Sequence, residues 1–274
     1  MVRWWGARPD DVVPGKRSES GGRPGLRVMT LNVAHGRRNG PHQLLQRRAR
    51  IESNVDDIAA VLKRESPDIV ALQEADGPSF WSGRFDHVRH LAQRAGFPHA
   101  VRGEHARALK VCYGTALLST LPLVHPVSVT FPPVPLTFPK GYVVSTITWP
   151  NDGGLQVDVV SVHLDFVRAF VRKRQAAEMI SRLRQRGRPL IVMGDFNCEW
   201  TSREPTLRTL ASRLGLRAYR PEAAGLRTFR RVRRRLDWVL VSRDFEFVTY
   251  GALPDHISDH LGVVSELRLA RGAG

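Results

Sequence analysis

The 274-residue sequence is poor in cysteine, in acidic residues relative to basic ones, and in long apolar runs. Its two cysteines could form one disulfide at most, so the chain is not a disulfide scaffold, and free thiols are the expected state. No stretch approaches the roughly 20 apolar residues of a transmembrane helix, and the N-terminus has no apolar segment typical of a secretory signal. These absences predict a cytoplasmic protein without a membrane span.

Several cofactor motifs are missing as well. No GxGxxG follows an apolar run that could be a strand, and no GxxxxGK(S/T) occurs, which argues against dinucleotide binding and against a P-loop nucleotidase. No Cys/His cluster has the spacing of a structural zinc site. With 42% hydrophobic and 25% charged residues, the composition is that of an ordinary globular protein that can bury a core.

Basic residues are in large excess. Lysine and arginine number 42 against 26 acidic residues, which gives a formal net charge of +16. Only five of the basic residues are lysines, a skew that coding bias can explain, but coding bias does not explain the excess of bases over acids. The charge favours a polyanionic partner such as nucleic acid, an acidic membrane surface or a phosphorylated substrate.

The distribution of apolar residues predicts one domain after a flexible start. Residues 1–25 are rich in glycine and proline without apolar periodicity, which predicts a mobile tail, and no linker divides residues 26–270. Residues 125–141 are rich in proline and predict an irregular loop or edge segment. Helices are predicted at residues 43–65, 87–96, 167–186 and 205–214. Strands are predicted at residues 26–32, 68–74, 114–119, 142–149, 155–165, 190–193, 236–242 and 261–269. Because strands and helices do not alternate strictly, the order favours a layered α/β or α+β domain.

The segment Leu190-Ile-Val-Met-Gly-Asp-Phe-Asn197 has the clearest pattern. Four consecutive apolar residues are typical of a strand that is buried on both faces. Asp195 and Asn197 follow two residues apart, so in an extended chain they would point the same way. Glycine, aspartate and asparagine also favour ordinary turns, and the segment alone does not decide between a turn and a site.

Similar polar residues stand at the ends of other apolar runs. Carboxylate and amide oxygens suit Mg²⁺ or Mn²⁺, and a histidine with an aspartate partner can accept a proton near neutral pH. Each residue alone has an ordinary explanation as a turn cap, a surface acid or a core histidine. Their joint occurrence indicates a site that handles phosphate with a divalent cation. The residues are Asn32, Glu74, His163, Asp195, Asn197, Asp237, Asp259 and His260.

Six short motifs carry a resemblance to a known family. They are Thr30-Leu-Asn32, Leu72-Gln-Glu74, Ser161-Val-His-Leu-Asp165, Gly194-Asp-Phe-Asn197, Arg235-Leu-Asp237 and Ser258-Asp-His260. In this order the chain resembles the endonuclease/exonuclease/phosphatase superfamily, which includes deoxyribonucleases, apurinic endonucleases, neutral sphingomyelinases and inositol polyphosphate phosphatases. The resemblance implies a four-layer α/β/β/α sandwich: two mixed β-sheets face to face, helices outside, and the site at one end of the sheets.

The resemblance also implies roles for the motif residues. Glu74 would be the chief ligand of one or two Mg²⁺ or Mn²⁺ ions, with Asn32 and Asp259 nearby. Water would attack a phosphate ester in line. The remaining residues would serve the attack: His260 as general base or phosphate contact, Asp237 as its orienting partner, Asp195 and Asn197 positioning the water, and His163 contacting phosphate. Whether His260 or Asp195 activates the water stays open.

The substrate is less well defined by the sequence. Arginine runs lie near Asp237 and His163, the second of them containing Arg172. They could form a basic rim that grips a nucleic-acid backbone, as in a nuclease or other phosphodiesterase, or an ordinary solvated helix face. Candidate substrate contacts are Arg235, Arg174 and Tyr113. A phospholipid, inositol phosphate or sugar phosphate would also fit a basic rim, and a non-catalytic polyanion-binding module is a third hypothesis, although it predicts broken motifs. A monomer is expected.

Overall fold

The computed structural model describes residues 2–6, 25–108, 111–135, 137–150, 154–223, 225–229 and 231–270. Two mixed β-sheets contain all of the named strands. The seven-stranded sheet has the order β1-β4-β5-β3-β2-β13-β12 and consists of β1 (Val2–Gly6), β2 (Leu26–Asn32), β3 (Ile69–Asp76), β4 (His99–Ala108), β5 (Val111–Ser119), β12 (Phe245–Ala252) and β13 (Val263–Leu269). The six-stranded sheet has the order β10-β11-β9-β8-β7-β6 and consists of β6 (Val124–Thr130), β7 (Gly141–Thr148), β8 (Gln156–His163), β9 (Leu190–Asp195), β10 (Leu216–Ala218) and β11 (Asp237–Ser242).

Four α-helices cover the outer faces of the sheets. They are α1 (Arg48–Glu65), α2 (His87–Ala95), α3 (Ala169–Arg184) and α4 (Thr206–Leu214). Apolar residues of α1 and α2 pack with β2 and β3, while those of α3 and α4 pack with β8 and β9. The predicted four-layer α/β/β/α sandwich is therefore confirmed. No helix among the described residues combines the length and the apolar character needed to cross a bilayer.

The strand β9 shows why its sequence is apolar throughout. Leu190 and Val192 pack toward the helices, whereas Ile191 and Met193 belong to the cluster between the two sheets. Because successive side chains of a strand point to opposite faces, a strand in the middle of this sandwich has no polar face. Gly194 follows with φ +151°, and a Cβ atom there would lie 2.0 Å from the carbonyl oxygen of Val162. Only glycine fits at this position.

Strand directions bring the motif residues to one edge of the sandwich. The strands β2 and β3 are parallel, as are β8 and β9, so their C-terminal ends lie together. The strands β7 and β11 run antiparallel to these neighbours, so their N-terminal ends reach the same edge. Four neighbouring register positions of the six-stranded sheet are thereby aligned across it: Gly141, His163, Asp195 and Asp237.

The structure corrects several sequence predictions. The mobile tail is wrong for Val2–Gly6, which pair antiparallel with β4, and residues 7–24 lie outside the described part of the chain. The proline-rich segment contains β6, the edge strand of its sheet. A register shift between Val124 and Val127 accommodates Pro126 there, because proline cannot join a regular ladder. Among the described residues, β4, β10 and β12 were also missed. Both cysteines are free, as expected.

The buried His105 of β4 makes acid stability testable. Its Nε2 lies 2.9 Å from Oγ1 of Thr115, and burial lowers the pKa of its imidazole to about 3. A depressed pKa stabilises the fold above the unfolded value of about 6.5, and this contribution falls by about 1.4 kcal/mol per pH unit as the pH drops toward 3. In urea unfolding, wild type should therefore lose about 2 kcal/mol more between pH 7.5 and pH 5 than the variant His105→Gln.

The exposed His256 supplies a matched control for this measurement. The variant His256→Gln should lose as much stability on acidification as wild type, because the side chain of His256 is exposed. Identical acid losses in wild type and in His105→Gln would contradict the prediction.

Candidate active site

One histidine is held between two carboxylates at the site edge. Nδ1 of His260 lies 2.8 Å from Oδ2 of Asp237, and its Nε2 lies 3.7 Å from Oδ2 of Asp195. All three side chains are buried. A second imidazole, that of His163, approaches the same oxygen of Asp195 to 3.6 Å. Asp237 therefore fixes the ring of His260 and directs its other nitrogen toward Asp195.

Burial and charge shift the protonation of this group. Burial alone would lower the pKa of His260, but the carboxylates of Asp237 and Asp195 raise it to about 10. Burial raises the pKa of Asp195 above its ordinary value. With its neighbours as they stand, the imidazole carries a proton and presents a positive charge to the cavity.

Asn32 connects the two sheets at this edge. Its Nδ2 donates a hydrogen bond of 3.0 Å to Oδ2 of Asp195, while its Oδ1 accepts one from the amide of Ala34. The hydroxyl of Ser258 donates to the carbonyl oxygen of Asn32 at 2.7 Å. The end of β2 is thereby tied both to β9 and to the loop that carries Asp259 and His260.

A backbone irregularity places Glu74. The ladder between β3 and β5 pairs Gln73 with Thr115 and Ala75 with Gly114, so Glu74 is the extra residue of a bulge, with φ 51°. Bulges turn a side chain away from the direction that strand alternation gives it. The bulge accounts for how a residue in the middle of a buried strand reaches the site.

The carboxylate of Glu74 lies among the nitrogen atoms of three basic side chains. Its oxygens are 3.3 Å from Nε2 of His35, 3.8 Å from Nζ of Lys140 and 4.0 Å from Nε2 of His163. Burial favours the neutral acid, but the positive charges of His35 and Lys140 hold the pKa of Glu74 far below its usual range. The side chain is therefore an ionised, mostly buried carboxylate with three basic side chains within 4.0 Å of its oxygens.

The motif residues line one cavity of about 360 Å³. Glu74 of the seven-stranded sheet and Asp259 of the loop before β13 both line it. A cation site shared by these two residues needs both of them at one cavity. Asp237 lies behind the cavity and supports His260. The full lining comprises Asn32, Arg37, Glu74, His163, Phe166, Asp195, Asn197, Phe229, Val232, Arg234, Leu236, Asp259 and His260.

Asn197 reaches the cavity by a different route from the predicted one. The strand ends at Asp195, and Asn197 adopts φ 52° in the following turn. Its amide donates to Oδ1 of Asp195 at 2.9 Å, and its Nδ2 donates to the carbonyl oxygen of Leu164 at 3.0 Å. The expectation that both side chains share a face by strand alternation is therefore wrong, although both line the cavity.

The oxygen donors at the cavity fit a hard divalent cation. Glu74 supplies an ionised carboxylate, Asn32 a carboxamide oxygen, and Asp259 a carboxylate whose Oδ2 pairs with Arg37. Mg²⁺ and Mn²⁺ prefer such oxygen ligands. Ligand atoms of Asp195, Asp237 and His260 also lie within 4.8 Å of one another. This second group contains the protonated imidazole of His260, and a protonated imidazole cannot bind a metal ion. The group is therefore better suited to proton transfer than to metal binding.

Three residues of the site were missed in the sequence. His35 bridges Glu74 and Asp76, with Nδ1 2.7 Å from Oδ1 of Asp76. Lys140 lies 3.4 Å from Nδ1 of His163 as well as near Glu74. Arg37 pairs with Asp259. His35 and Arg37 follow Asn32 in the next turn, so proximity to a motif was the available signal. Lys140 ends the proline-rich segment, and only the pairing of β7 with β8 brings it to His163.

The three predicted substrate contacts are not at the cavity. Arg235 is buried, with its guanidinium 3.8 Å from the ring centroid of Trp238, and it donates to the carbonyl oxygens of Tyr219 and Arg220. These groups hold its side chain inside the protein, away from the active-site cavity. Tyr113 is 2% exposed and donates to the carbonyl oxygen of Pro139, so it packs behind the site. Arg174 is exposed on α3 and is not among the cavity residues.

Comparisons with known proteins agree with the fold of the chain. Residues 29–260 match the model of the Endonuclease/Exonuclease/phosphatase family. A search of curated proteins finds no match. Among solved structures, an endonuclease/exonuclease/phosphatase from Beutenbergia cavernae is 25% identical, with a TM-score of 0.74 over 90% of this chain and 72% of that one.

Two further structures share the fold at lower identity. The catalytic domain of human Nocturnin, with a bound sulfate anion, is 22% identical, with a TM-score of 0.69 over 90% of this chain and 96% of that one. A mannosyl-6-phosphatase from Bacteroides thetaiotaomicron is 18% identical, with a TM-score of 0.69 over 88% and 99%. The family match spans all six motifs, and the structure gathers their polar residues at one cavity. The chain therefore belongs to the endonuclease/exonuclease/phosphatase family.

Proposed function

We propose that this protein hydrolyses phosphate esters by attack of water at phosphorus, with a divalent cation, Mg²⁺ or Mn²⁺, at Glu74. One observation carries the proposal: the ionised carboxylate of Glu74 and the proton-carrying imidazole of His260 face the same 360 Å³ cavity. Family membership supports it, since the family name covers nucleases and phosphatases. A relative with a bound sulfate and another named as a sugar phosphatase are in keeping with a tetrahedral anion in such a cavity.

The cation would be held by Glu74, Asn32 and Asp259. When bound, it supplies positive charge to the phosphoryl oxygens and favours the ionised form of a nearby water. Lys140 and His163 add donors beside Glu74, and Arg37 and Arg234 line the same cavity. These donors act on charge that grows on the phosphoryl group in the transition state, and fixed charges in a closed site are effective there.

Two groups handle the proton of the attacking water: Asp195 can accept it directly, whereas His260 can accept it only after giving up the proton that it already carries. His260 is oriented by Asp237, and Asp195 lies opposite, fixed by the amide groups of Asn32 and Asn197. Oδ2 of Asp195 lies within 4 Å of Nε2 of both His260 and His163. A proton can therefore pass between Asp195 and either imidazole without movement of the backbone. The site therefore has a proton acceptor and a proton donor within 4 Å of one carboxylate.

For the substrate, the nuclease hypothesis depends on a basic rim. Two of the arginines on which it relied are turned into the protein: Arg235 stacks on Trp238, and Arg172 pairs with Glu204 at 2.5 Å. Arg37 and Arg234 remain at the cavity, among the apolar side chains of Phe166 and Val232. This mixed rim suits a phosphate that carries an apolar group as well as it suits a nucleotide.

A substrate panel tests the proposal. Metal-stripped protein would be mixed with plasmid DNA, bis(p-nitrophenyl) phosphate, phospholipid vesicles, and mannose and inositol phosphates, each with Mn²⁺, with Mg²⁺ and with excess chelator. We expect hydrolysis of at least one ester with metal and loss of that activity with chelator. Intact DNA alone would remove only the nuclease hypothesis. No hydrolysis of any ester, or a rate that chelator leaves unchanged, would overturn the proposed function.

A further inference from the structure

Exposed apolar side chains are concentrated at the site edge of the molecule. Among the described residues, ten large hydrophobic side chains are strongly exposed. Two of them, Val127 and Val248, lie within the strands β6 and β12. The other eight lie in loops and helix starts after β2, β3 and β8 or before β7 and β11: Leu44, Leu45, Phe80, Phe138, Phe166, Val167, Phe170 and Val232. We call these eight side chains the apolar rim.

Ring contacts connect the loops that carry the apolar rim. The ring of Phe138 lies 5.1 Å from that of Trp81 and 5.9 Å from that of Tyr113. The ring of His42, beside Leu44, lies 6.1 Å from Trp81. These contacts bring the loops after β2, β3 and β6 together at the site edge.

The rim continues across the cavity itself. Nζ of Lys140 is 5.8 Å from the ring centroid of Phe166, on the loop after β8. Phe166 and Val232 line the cavity and are 60% and 56% exposed. Scattered exposed hydrophobic residues are normal on a soluble protein, but a concentration around one site indicates a contact surface.

Positive charge lies next to the apolar rim. A second cavity of about 540 Å³ has Leu45 at its wall together with Arg37, Arg38, Arg47 and Arg50. Arg37 lines both this cavity and the active-site cavity. An anionic group bound here would therefore sit beside the reaction site. Apolar side chains that enter a lipid layer and arginines that meet acidic headgroups are the two usual components of surface attachment.

We propose that the apolar rim docks the protein on the surface of a phospholipid bilayer that contains anionic lipids, with the active-site cavity facing the lipid. The rim side chains enter the headgroup region. Arg47 and Arg50 at the second cavity receive an acidic headgroup, since Arg38 already pairs with Asp57 at 3.0 Å. The choice of a lipid phosphate as substrate rests on the proposed function, whereas the docking itself does not.

The composition of the rim favours lipid over single-stranded nucleic acid. Single-stranded nucleic acid is bound largely by stacking of its bases on aromatic side chains. Four of the eight rim residues have no aromatic ring: Leu44, Leu45, Val167 and Val232. Transfer into a bilayer is favourable for aliphatic and aromatic side chains alike, by about 25 cal/mol for each Å² of apolar surface removed from water.

Vesicle sedimentation tests the docking directly. Wild type is expected to bind vesicles of phosphatidylcholine with phosphatidylserine, and to bind phosphatidylcholine vesicles more weakly. The double variant Val167→Ser/Phe170→Ser should lose roughly tenfold in affinity. Its residues do not line the active-site cavity, so hydrolysis of a soluble ester should be unchanged. The matched control Val127→Ser/Val248→Ser removes the two exposed side chains outside the rim and should bind as wild type does.

The outcomes separate docking from catalysis. The variant Glu74→Gln should still bind vesicles, so a failure of the proposed function would leave vesicle binding intact. Equal affinity of the rim variant and its control, or no binding of wild type to acidic vesicles, would overturn the docking proposal. A rim variant that loses affinity for single-stranded DNA instead of vesicles would also overturn it, in favour of a nucleic-acid surface.

Discussion

Replacing Glu74 with glutamine is expected to lower phosphate-ester turnover at saturating Mn²⁺ by about a thousandfold or more. The substitution keeps the size and shape of the side chain, so the bulge in β3 can persist. It removes the negative charge that faces His35 and Lys140 at 3.3 and 3.8 Å. Those two cations then repel a divalent ion in a buried site, where charge interactions are weakly screened.

Glu266→Gln is the matched control for this variant. Glu266 lies in β13 of the same sheet, where it pairs with Arg27 at 3.1 Å, and it does not line the cavity. Turnover of Glu266→Gln should equal that of wild type. Circular dichroism and thermal unfolding of both variants would separate a catalytic loss from a folding defect. Wild-type turnover in a folded Glu74→Gln protein would show that the site has been assigned to the wrong residues.

Replacing His260 with glutamine should lower kcat roughly a hundred- to ten-thousandfold, with a much smaller effect on KM. The imidazole lies between Asp237 and Asp195, at 2.8 and 3.7 Å, where it can carry a proton from one to the other. Asp237→Asn should lower kcat by a comparable factor, because a neutral amide does not stabilise the protonated imidazole of His260 as the carboxylate does.

The double variant His260→Gln/Asp237→Asn gives the sharper readout. Residues that act as one unit are not additive, so the double variant should be little slower than the slower single variant. The chain contains its own control, since Asp255 and His256 repeat the Asp-His dipeptide four residues earlier on an exposed loop. His256→Gln should leave kcat unchanged. Fully multiplicative losses in the double variant would show that His260 and Asp237 act separately.

The sequence predicted which residues line the cavity better than it predicted how their side chains are oriented. Apolar runs located β2, β3, β8, β9 and β11, and the polar residues after or within those runs do meet. The pattern could not reveal the bulge that turns Glu74, because a bulge depends on the partner strand β5. It also could not place Arg235, whose neighbour Asp237 serves the site while its own side chain stacks on Trp238 and Tyr250.

Missed strands have a physical reason. The strand β4 reads His-Ala-Val-Arg-Gly-Glu-His-Ala-Arg-Ala, which looks polar, yet Arg102 is fully buried because it pairs with Asp86 at 2.7 Å and Glu104 at 3.0 Å. Glu104 lies in β4 itself, but Asp86 lies before α2, and a partner from another segment is not visible in the local pattern of the strand. The segment Val2–Gly6 depends in turn on β4, so it could not be recognised as a strand without it.

Binding of Mn²⁺ to purified, metal-stripped protein tests the central claim most directly. Free Mn²⁺ would be followed by electron paramagnetic resonance during a titration of wild type, Glu74→Gln and Glu266→Gln. If separate segments of the chain form one cation site at Glu74, wild type and Glu266→Gln will each bind at least one Mn²⁺ saturably, and Glu74→Gln will not. Saturable binding of equal strength in all three proteins, or none in wild type, would contradict the account.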